Sequence, residues 1–191
     1  MRHAHIVKLK NVRGAPIRFS MIQRTANLLG VVGLAVAERI DQNAREILRH
    51  SGETPAALVV IGYGFGPSNE RLRKVLGLSH PGAVRLVDRL VADGLVERRA
   101  GGDKRTIALF LTEEGTQVRE QLLAGRLAAI EPMVSVLDQA DQAAFGDLLH
   151  KMLQALDPTD AERCQLCRLC DDRVCVNCPI PADFKTEPAS I

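Results

Sequence analysis

The chain of 191 residues has no tryptophan, one tyrosine and five phenylalanines, so aromatics make up 3% of it against 46% apolar residues overall. Such a core must be aliphatic, which suits packed helices. Apolar runs are short, and none reaches the ~20 residues that a membrane-spanning helix needs. The N-terminus lacks the apolar centre of a secretory signal, so a cytoplasmic location is expected. Cysteine is missing until Cys164 and then occurs five times by Cys178. A disulfide framework spreads its cysteines, whereas a dense cluster in a reducing compartment points to metal or redox chemistry. Catalytic constellations are also missing: no His, Cys or carboxylate can be grouped with a base and an orienting partner, and an enzyme is not expected. One stretch, ALVVIGYGFGPSN, imitates the entry to a dinucleotide-binding loop. Its fingerprint G-x-G-x-x-G requires a third glycine at position 67, where Pro67 stands, and no βαβ alternation follows.

What is present centres on residues 68–111. Ser68 can cap a short helix with Leu72, Val75 and Leu76 on one face. Gly77-Leu78-Ser79 then forms a turn, with Gly77 free to take positive φ and Ser79 free to cap the next helix. That helix runs from His80 to Asp93 with Pro81 in its first turn, and Gly94 stops it. Its expected buried side is Val84, Val87, Leu90 and Val91. Two short helices joined this way form a helix-turn-helix, whose second helix enters the DNA major groove. Leu95–Arg99 and Thr106–Leu111 read as strands around the glycine-rich, charged turn 100–104, which makes the unit a winged helix.

Charge supports the same reading. Between Arg71 and Arg105 stand nine Lys or Arg and four acids, a surplus of five, while the whole chain carries only +2. Positive charge is therefore concentrated where phosphate neutralisation needs it. His80, Gly82, Ala83 and Arg85 are expected to face the major groove, with Arg85 the candidate for a bidentate guanine contact. Arg89, Arg98, Arg99 and Lys104 are assigned to phosphate.

The run LGLSHPGAVRLVDRLVADGLVERR, the tip Asp103-Lys104-Arg105 and the strand ending LFLTEEG resemble the MarR (multiple antibiotic resistance regulator) family over about residues 20–156. The resemblance implies a homodimeric winged-helix transcription regulator on a palindromic operator, often a repressor released by a small molecule or an oxidant. It also implies that Arg105 enters the minor groove and that Asp103 positions it. The glycine-rich link before the first DNA-binding helix and the cysteine-rich tail depart from the family pattern.

The expected architecture is mainly α (α+β), in three parts. Residues 1–19 are a basic arm. Residues 20–156 are the winged-helix domain, with a DNA-binding part at 54–111, its wing at 95–111, and dimerisation helices at 20–50 and 112–156. Residues 157–191 are a cysteine-rich tail. Thr54 is expected to cap a helix beginning at Pro55, with Tyr63 and Phe65 lining a cleft beside the dimer helices. Thr112 caps a helix with Val118, Leu122, Leu127 and Ile130 along its face, and Asp138 caps a last one carrying Phe145, Leu148, Leu149, Met152 and Leu156. From Thr112 to Arg163 ten acids face four bases, the opposite sign to the DNA-binding part.

In the tail, Cys167/Cys170 and Cys175/Cys178 are two CxxC pairs separated by four residues. Each turn lets two sulfurs reach one ion, and the pairs together supply four thiolates for tetrahedral zinc, with Cys164 an alternative ligand. An iron–sulfur cluster is the competing cofactor: Cys164, Cys167 and Cys170 fit the start of C-x2-C-x2-C-x3-C-P, but Cys175 comes one residue late. A zinc site is expected to fix the tail against the dimer helices. Expected partners are double-stranded DNA, a second copy of the chain and a small-molecule or redox effector, with no membrane. A protein-interaction module built on the winged helix and a zinc knuckle is the alternative.

Overall fold

A computed structural model describes residues 20–48, 52–101, 107–175 and 177–181. The chain divides into two compact units, residues 1–35 and 36–191. Helix α1 (Met21–Ile47) begins in the first. Ser20 opens it with a reciprocal cap: its hydroxyl accepts from the Gln23 amide at 3.2 Å, and the Gln23 side chain accepts from the Ser20 amide at 2.8 Å. In this first half Met21, Leu28, Leu29, Val31, Val32 and Leu34 are all exposed.

The second unit continues with α2 (Thr54–Ile61), α3 (Asn69–Leu76), α4 (His80–Ala92), β1 (Val96–Ala100), β2 (Ile107–Leu111), α5 (Glu113–Val134), α6 (Gln139–Gln154) and α7 (Asp160–Cys167). Every residue of α2 is buried, as an apolar-all-round helix must be. Thr54 does not cap it. It is the first helical residue, the cap position belongs to Glu53, and the buried Thr54 hydroxyl has no hydrogen-bond partner.

The helix-turn-helix forms as its punctuation dictates. Ser68 accepts from the Arg71 amide at 3.1 Å, and Ser79 accepts from the Gly82 amide at 3.2 Å. Between them Gly77 takes φ 64°, and the Leu78 amide returns to the Arg73 carbonyl, closing α3. Gly94, at φ 73°, ends the turn after α4. β1 and β2 pair antiparallel from Val96↔Leu111 to Ala100↔Ile107. Burial does not alternate along β2 as a half-buried strand would require, since Ala108 and Leu109 are both buried while Ile107 is exposed. The reason is the glycine-rich link, which runs onto this strand: the Leu109 amide donates to the Pro67 carbonyl at 3.1 Å, and Ser68 bridges to Ala108. The helical run through Ile61, followed by this link, agrees with the rejection of a nucleotide-binding loop.

Thr112 caps α5 and also donates to the Gly94 carbonyl at 2.7 Å, tying helix to turn. The buried side of α5 is Gly115, Arg119, Leu122 and Leu123; of the expected face only Leu122 is buried. Asp138 caps α6, which buries no residue. A further helix, α7, was not expected after Pro158. Thr159 and Glu162 start it with a complete capping box. Its Cys164 joins the aliphatic core of Leu58, Leu72, Val75, Val87, Leu90 and Leu109. The tail therefore packs on α3 and, through the pair of Arg173 with Glu120, also meets α5, one of the helices assigned to dimerisation. Among the described residues no helix is long and apolar enough to cross a membrane.

Candidate nucleic-acid interface

The buried side of α4 is Ala83, Leu86, Val87 and Leu90, a three–four spacing rotated from the one the sequence suggested. Val84 and Val91 are only half-buried. The rotation corrects one base-facing assignment: Ala83 is 1% exposed and cannot reach a groove. Gly82 is half-buried, with a Cβ at that position falling 3.1 Å from the Ser79 hydroxyl. The outward face consists of His80, Pro81, Arg85, Asp88 and Arg89. Pro81 and Asp88 were missed, although both follow from Arg85 by helical spacing of four and three.

The basic residues divide by what already holds them. Arg71 is 5% exposed and turned inward, its Nη2 donating to Cys164 Sγ at 3.7 Å. Arg73 is engaged by Glu70, two hydrogen bonds at 2.7 and 2.8 Å. That pairing holds the Glu70 carboxyl below its usual range. Arg98 pairs with Asp88, joining β1 to the recognition helix, and Arg99 pairs with Glu97 while lying 4.8 Å over the Phe110 ring. Arg85 and Arg89 on the outward face of α4 and Lys74 on α3 have no ion pair among the described residues. Asp103, Lys104 and Arg105, at the wing tip, lie outside the described residues.

Behind this surface the tail meets the winged helix at several points. The Tyr63 hydroxyl donates to the Cys170 carbonyl at 3.0 Å, and burial, then the nearby charge of Asp172, pushes the phenol above its ordinary pKa. Tyr63 thus serves the tail rather than an open cleft, while Phe65 is exposed. Arg119 of α5 is 8% exposed, lies 5.5 Å from the Tyr63 ring centre and pairs with Glu120 at 2.8 Å. Glu120 pairs with Arg173, which binds Asp171, both at 2.8 Å, and Arg168 pairs with Glu53 at 3.4 Å. Gly62 makes room for this arrangement, because a Cβ there would lie 2.1 Å from Arg119 Cδ.

Among the described residues no disulfide joins the cysteines. Cys164 and Cys167 are buried, Cys170 is half-buried, and Cys175 and Cys178 are exposed. Burial pushes the Cys167 thiol up to about 11, and the neighbouring Cys170, Cys178 and Cys164 push the same way. The sulfurs thus share one neighbourhood. Among the described residues, however, no three His, Cys, Asp or Glu side chains are gathered tightly enough to hold an ion.

A capped helix-turn-helix, a two-stranded wing and an outward cationic helix face define a winged helix-turn-helix protein. Residues 51–106 match the model of the MarR family. The chain is 26% identical over 136 residues to the uncharacterised HTH-type transcriptional regulator YwoH of Bacillus subtilis, covering 66% of this chain and 99% of that one. It is 28% identical over 132 residues to the HTH-type transcriptional repressor MdtR of the same organism, covering 67% and 85%. A variant of MepR from S. aureus has the same fold, with TM-score 0.63 at 20% identity over 73% of this chain and all of that one. A second MepR variant, bound to an oligodeoxyribonucleotide, gives TM-score 0.55 at 21% identity, again over 73% of this chain and 100% of that one. The chain thus has the winged-helix fold of these proteins, and its residues 51–106 are similar to the MarR family.

Proposed function

We propose that the chain is a homodimeric repressor that reads a palindromic DNA operator and carries a four-thiolate metal site in its tail. The outward face of α4 supports this reading most strongly. The neighbouring arginines 71, 73, 98 and 99 are buried or paired, yet Arg85 and Arg89 face solvent with no ion pair among the described residues. Arg85 reads a guanine, His80 and Gly82 approach the base edges, and Arg89 and Lys74 hold phosphate. Arg98, Arg99 and Lys104 add phosphate contacts, and Arg105, placed by Asp103, enters the minor groove. MdtR, similar in sequence, is a transcriptional repressor, and a MepR variant bound to an oligodeoxyribonucleotide shares this fold.

Dimerisation draws support from apolar faces with no cover: Met21 and Leu34 on α1, and Leu148 and Met152 on α6, are each exposed by 46% or more. A small effector is proposed for a cavity of about 240 Å³ lined by Ile40, Ala44, Pro55, Val59, Leu122 and Arg126. Arg126 Nε has no hydrogen-bond partner there. In the tail Cys167, Cys170, Cys175 and Cys178 hold the metal. Thiolate donors fit zinc, which would cross-link a segment that has no sheet and little core of its own; an iron–sulfur cluster is the alternative cofactor.

The test is to select duplexes from a randomised pool with the full chain and measure binding by fluorescence anisotropy. R85A is expected to lose ~1–3 kcal/mol of discrimination between selected and random duplex. Equal weakening on both removes Arg85 from base reading. No retention of any duplex at low salt, beside a salt-insensitive protein complex, makes the chain an interaction module instead.

A further inference from the structure

The cavity of about 240 Å³ has a wall that the winged helix does not supply. Arg168 and Leu169 of the tail line it together with residues of α1, α2 and α5, and Leu169 also packs on the aliphatic core. Arg168 Nε meets Glu53 Oε2 at 3.4 Å, and the two side chains are 36% and 34% exposed, so this pair stands where the cavity meets solvent. The segment that carries Arg168 and Leu169 is held on both sides. Before it Cys164 is seated in the core shared with Leu72 and Val75 of α3, and after it the Cys170 carbonyl receives the Tyr63 hydroxyl at 3.0 Å.

Charge on the lining decides what can occupy the cavity. Four charged residues reach it: Asp41, Glu53, Arg126 and Arg168. Asp41 is paired with Arg45 at 2.5 Å, and Glu53 with Arg168. Arg126 has no ion pair among the described residues, and its Nε is closed to solvent without a hydrogen-bond partner. A guanidinium held in this way is stabilised by one carboxylate, which can accept two of its N–H groups. The other lining side chains are apolar except Asn43, for which Gly125 of α5 leaves room: a Cβ there would fall 2.3 Å from Asn43 Oδ1. At about 240 Å³ the space lies below the ~300–1,000 Å³ usual for ligand sites, so the occupant is small.

Resting on the effector reading, we infer that the tail completes this site and sets its specificity. The cavity takes a small aliphatic monocarboxylate on Arg126, Leu169 limits the length of its chain, and Arg168, latched by Glu53, closes over it. The occupant therefore touches the tail as well as the winged helix. A ligand packed on Leu169 adds contacts to a segment otherwise held by Cys164, by the Arg168–Glu53 pair and by Tyr63. Occupancy orders the tail, and by reciprocity a well-seated tail raises the affinity for ligand.

The experiment is calorimetric titration of the full chain with straight-chain monocarboxylates from butanoate to octanoate and with cyclohexanecarboxylate, each beside its neutral amide. The acids are expected to bind about tenfold or more tightly than their amides, the order set by hydrogen bonds to a charged group. R126Q should erase that preference and leave binding of the amides unchanged. L169A should move the best chain length upward, and R168Q should weaken acid and amide alike. Amide hydrogen exchange over residues 165–171 of the unmodified chain is expected to slow when the best acid is added, with α6 unchanged, a readout that needs no variant to fold. Amides that bind as tightly as the acids overturn the monocarboxylate. The same best chain length in folded L169A, or unchanged exchange over 165–171, overturns the part given to the tail. Each of these results leaves the effector reading standing. Failure of every acid and every amide to bind overturns that reading together with the inference.

Discussion

The Tyr63 hydroxyl donates to the carbonyl of Cys170, 107 residues later, at 3.0 Å. The acceptor is backbone, so the bond registers the path of the tail and not the identity of a side chain. The chain's single tyrosine is therefore spent on holding the cysteine-rich segment to the link that leads into the helix-turn-helix. Arg119, stacked against the same ring, extends that hold to α5.

Arg89 is the cleanest phosphate contact to remove, because it is exposed and has no ion pair among the described residues. R89A is expected to weaken selected and random duplexes alike and to lower the slope of log K against log salt by about 0.9 per dimer-bound phosphate lost. Anisotropy between 50 and 200 mM salt, concentrations spanning roughly the usual range, measures it. R98A should behave differently, since it also strands Asp88 on the recognition helix. An unchanged salt slope in R89A removes the residue from the interface.

Two glycines in helices predict opposite outcomes for the same substitution. A Cβ on Gly115 would fall 1.9 Å from the Leu95 carbonyl oxygen, a backbone atom held by the Thr112 amide. G115A is expected to cost about 3 kcal/mol, at the upper end of overpacking. Gly146, inside α6, has nothing within 4 Å of that position, and G146A is expected to stabilise by about 1 kcal/mol through helix propensity. Urea titrations of both variants test the pair.

The winged helix was legible because its signals are local. Ser68, Gly77, Ser79, Gly94, Thr112 and Asp138 act within a few residues of themselves, and each does what its chemistry suggests. The face of α4 was less legible: valines at 84 and 91 look like core, yet Ala83 and Leu86 occupy the tighter positions against α3 and the sheet. Hydropathy ranks residues by size and greasiness, whereas packing selects by angle. The inward turn of Arg71 and the docking of α7 on α3 could not be read at all, because both depend on a contact 93 residues apart in sequence.

The exposed apolar side chains of α6 predict an interface between copies. Phe145, Leu148, Leu149 and Met152 recur at helical spacing, with Leu156 just past the end of the helix, and none is buried. A charge placed among them opposes association without touching the winged-helix core. L148E is expected to shift the sedimentation coefficient from dimer to monomer while thermal unfolding of the core stays cooperative. A wild-type chain that sediments as a monomer at micromolar concentration ends the dimer reading.

Cys164 separates packing from ligation. It was an alternative metal ligand by spacing, but its side chain is 1% exposed and belongs to the core shared with Leu72 and Val75. A sulfur committed there is replaced with loss of contacts and creation of a small void, not with loss of an ion. C164A is therefore expected to retain one zinc per chain while losing about 1–2 kcal/mol of stability, below the range for larger aliphatic truncations. C178S, at an exposed position, should do the reverse: metal is lost, and chelator-treated wild type and variant unfold at the same urea concentration. Metal analysis alongside urea titration decides between the two roles. Loss of zinc in C164A with full retention in C178S would falsify the assignment of the quartet and move the site toward the Cys164, Cys167 and Cys170 triplet, whose spacing opens an iron–sulfur motif.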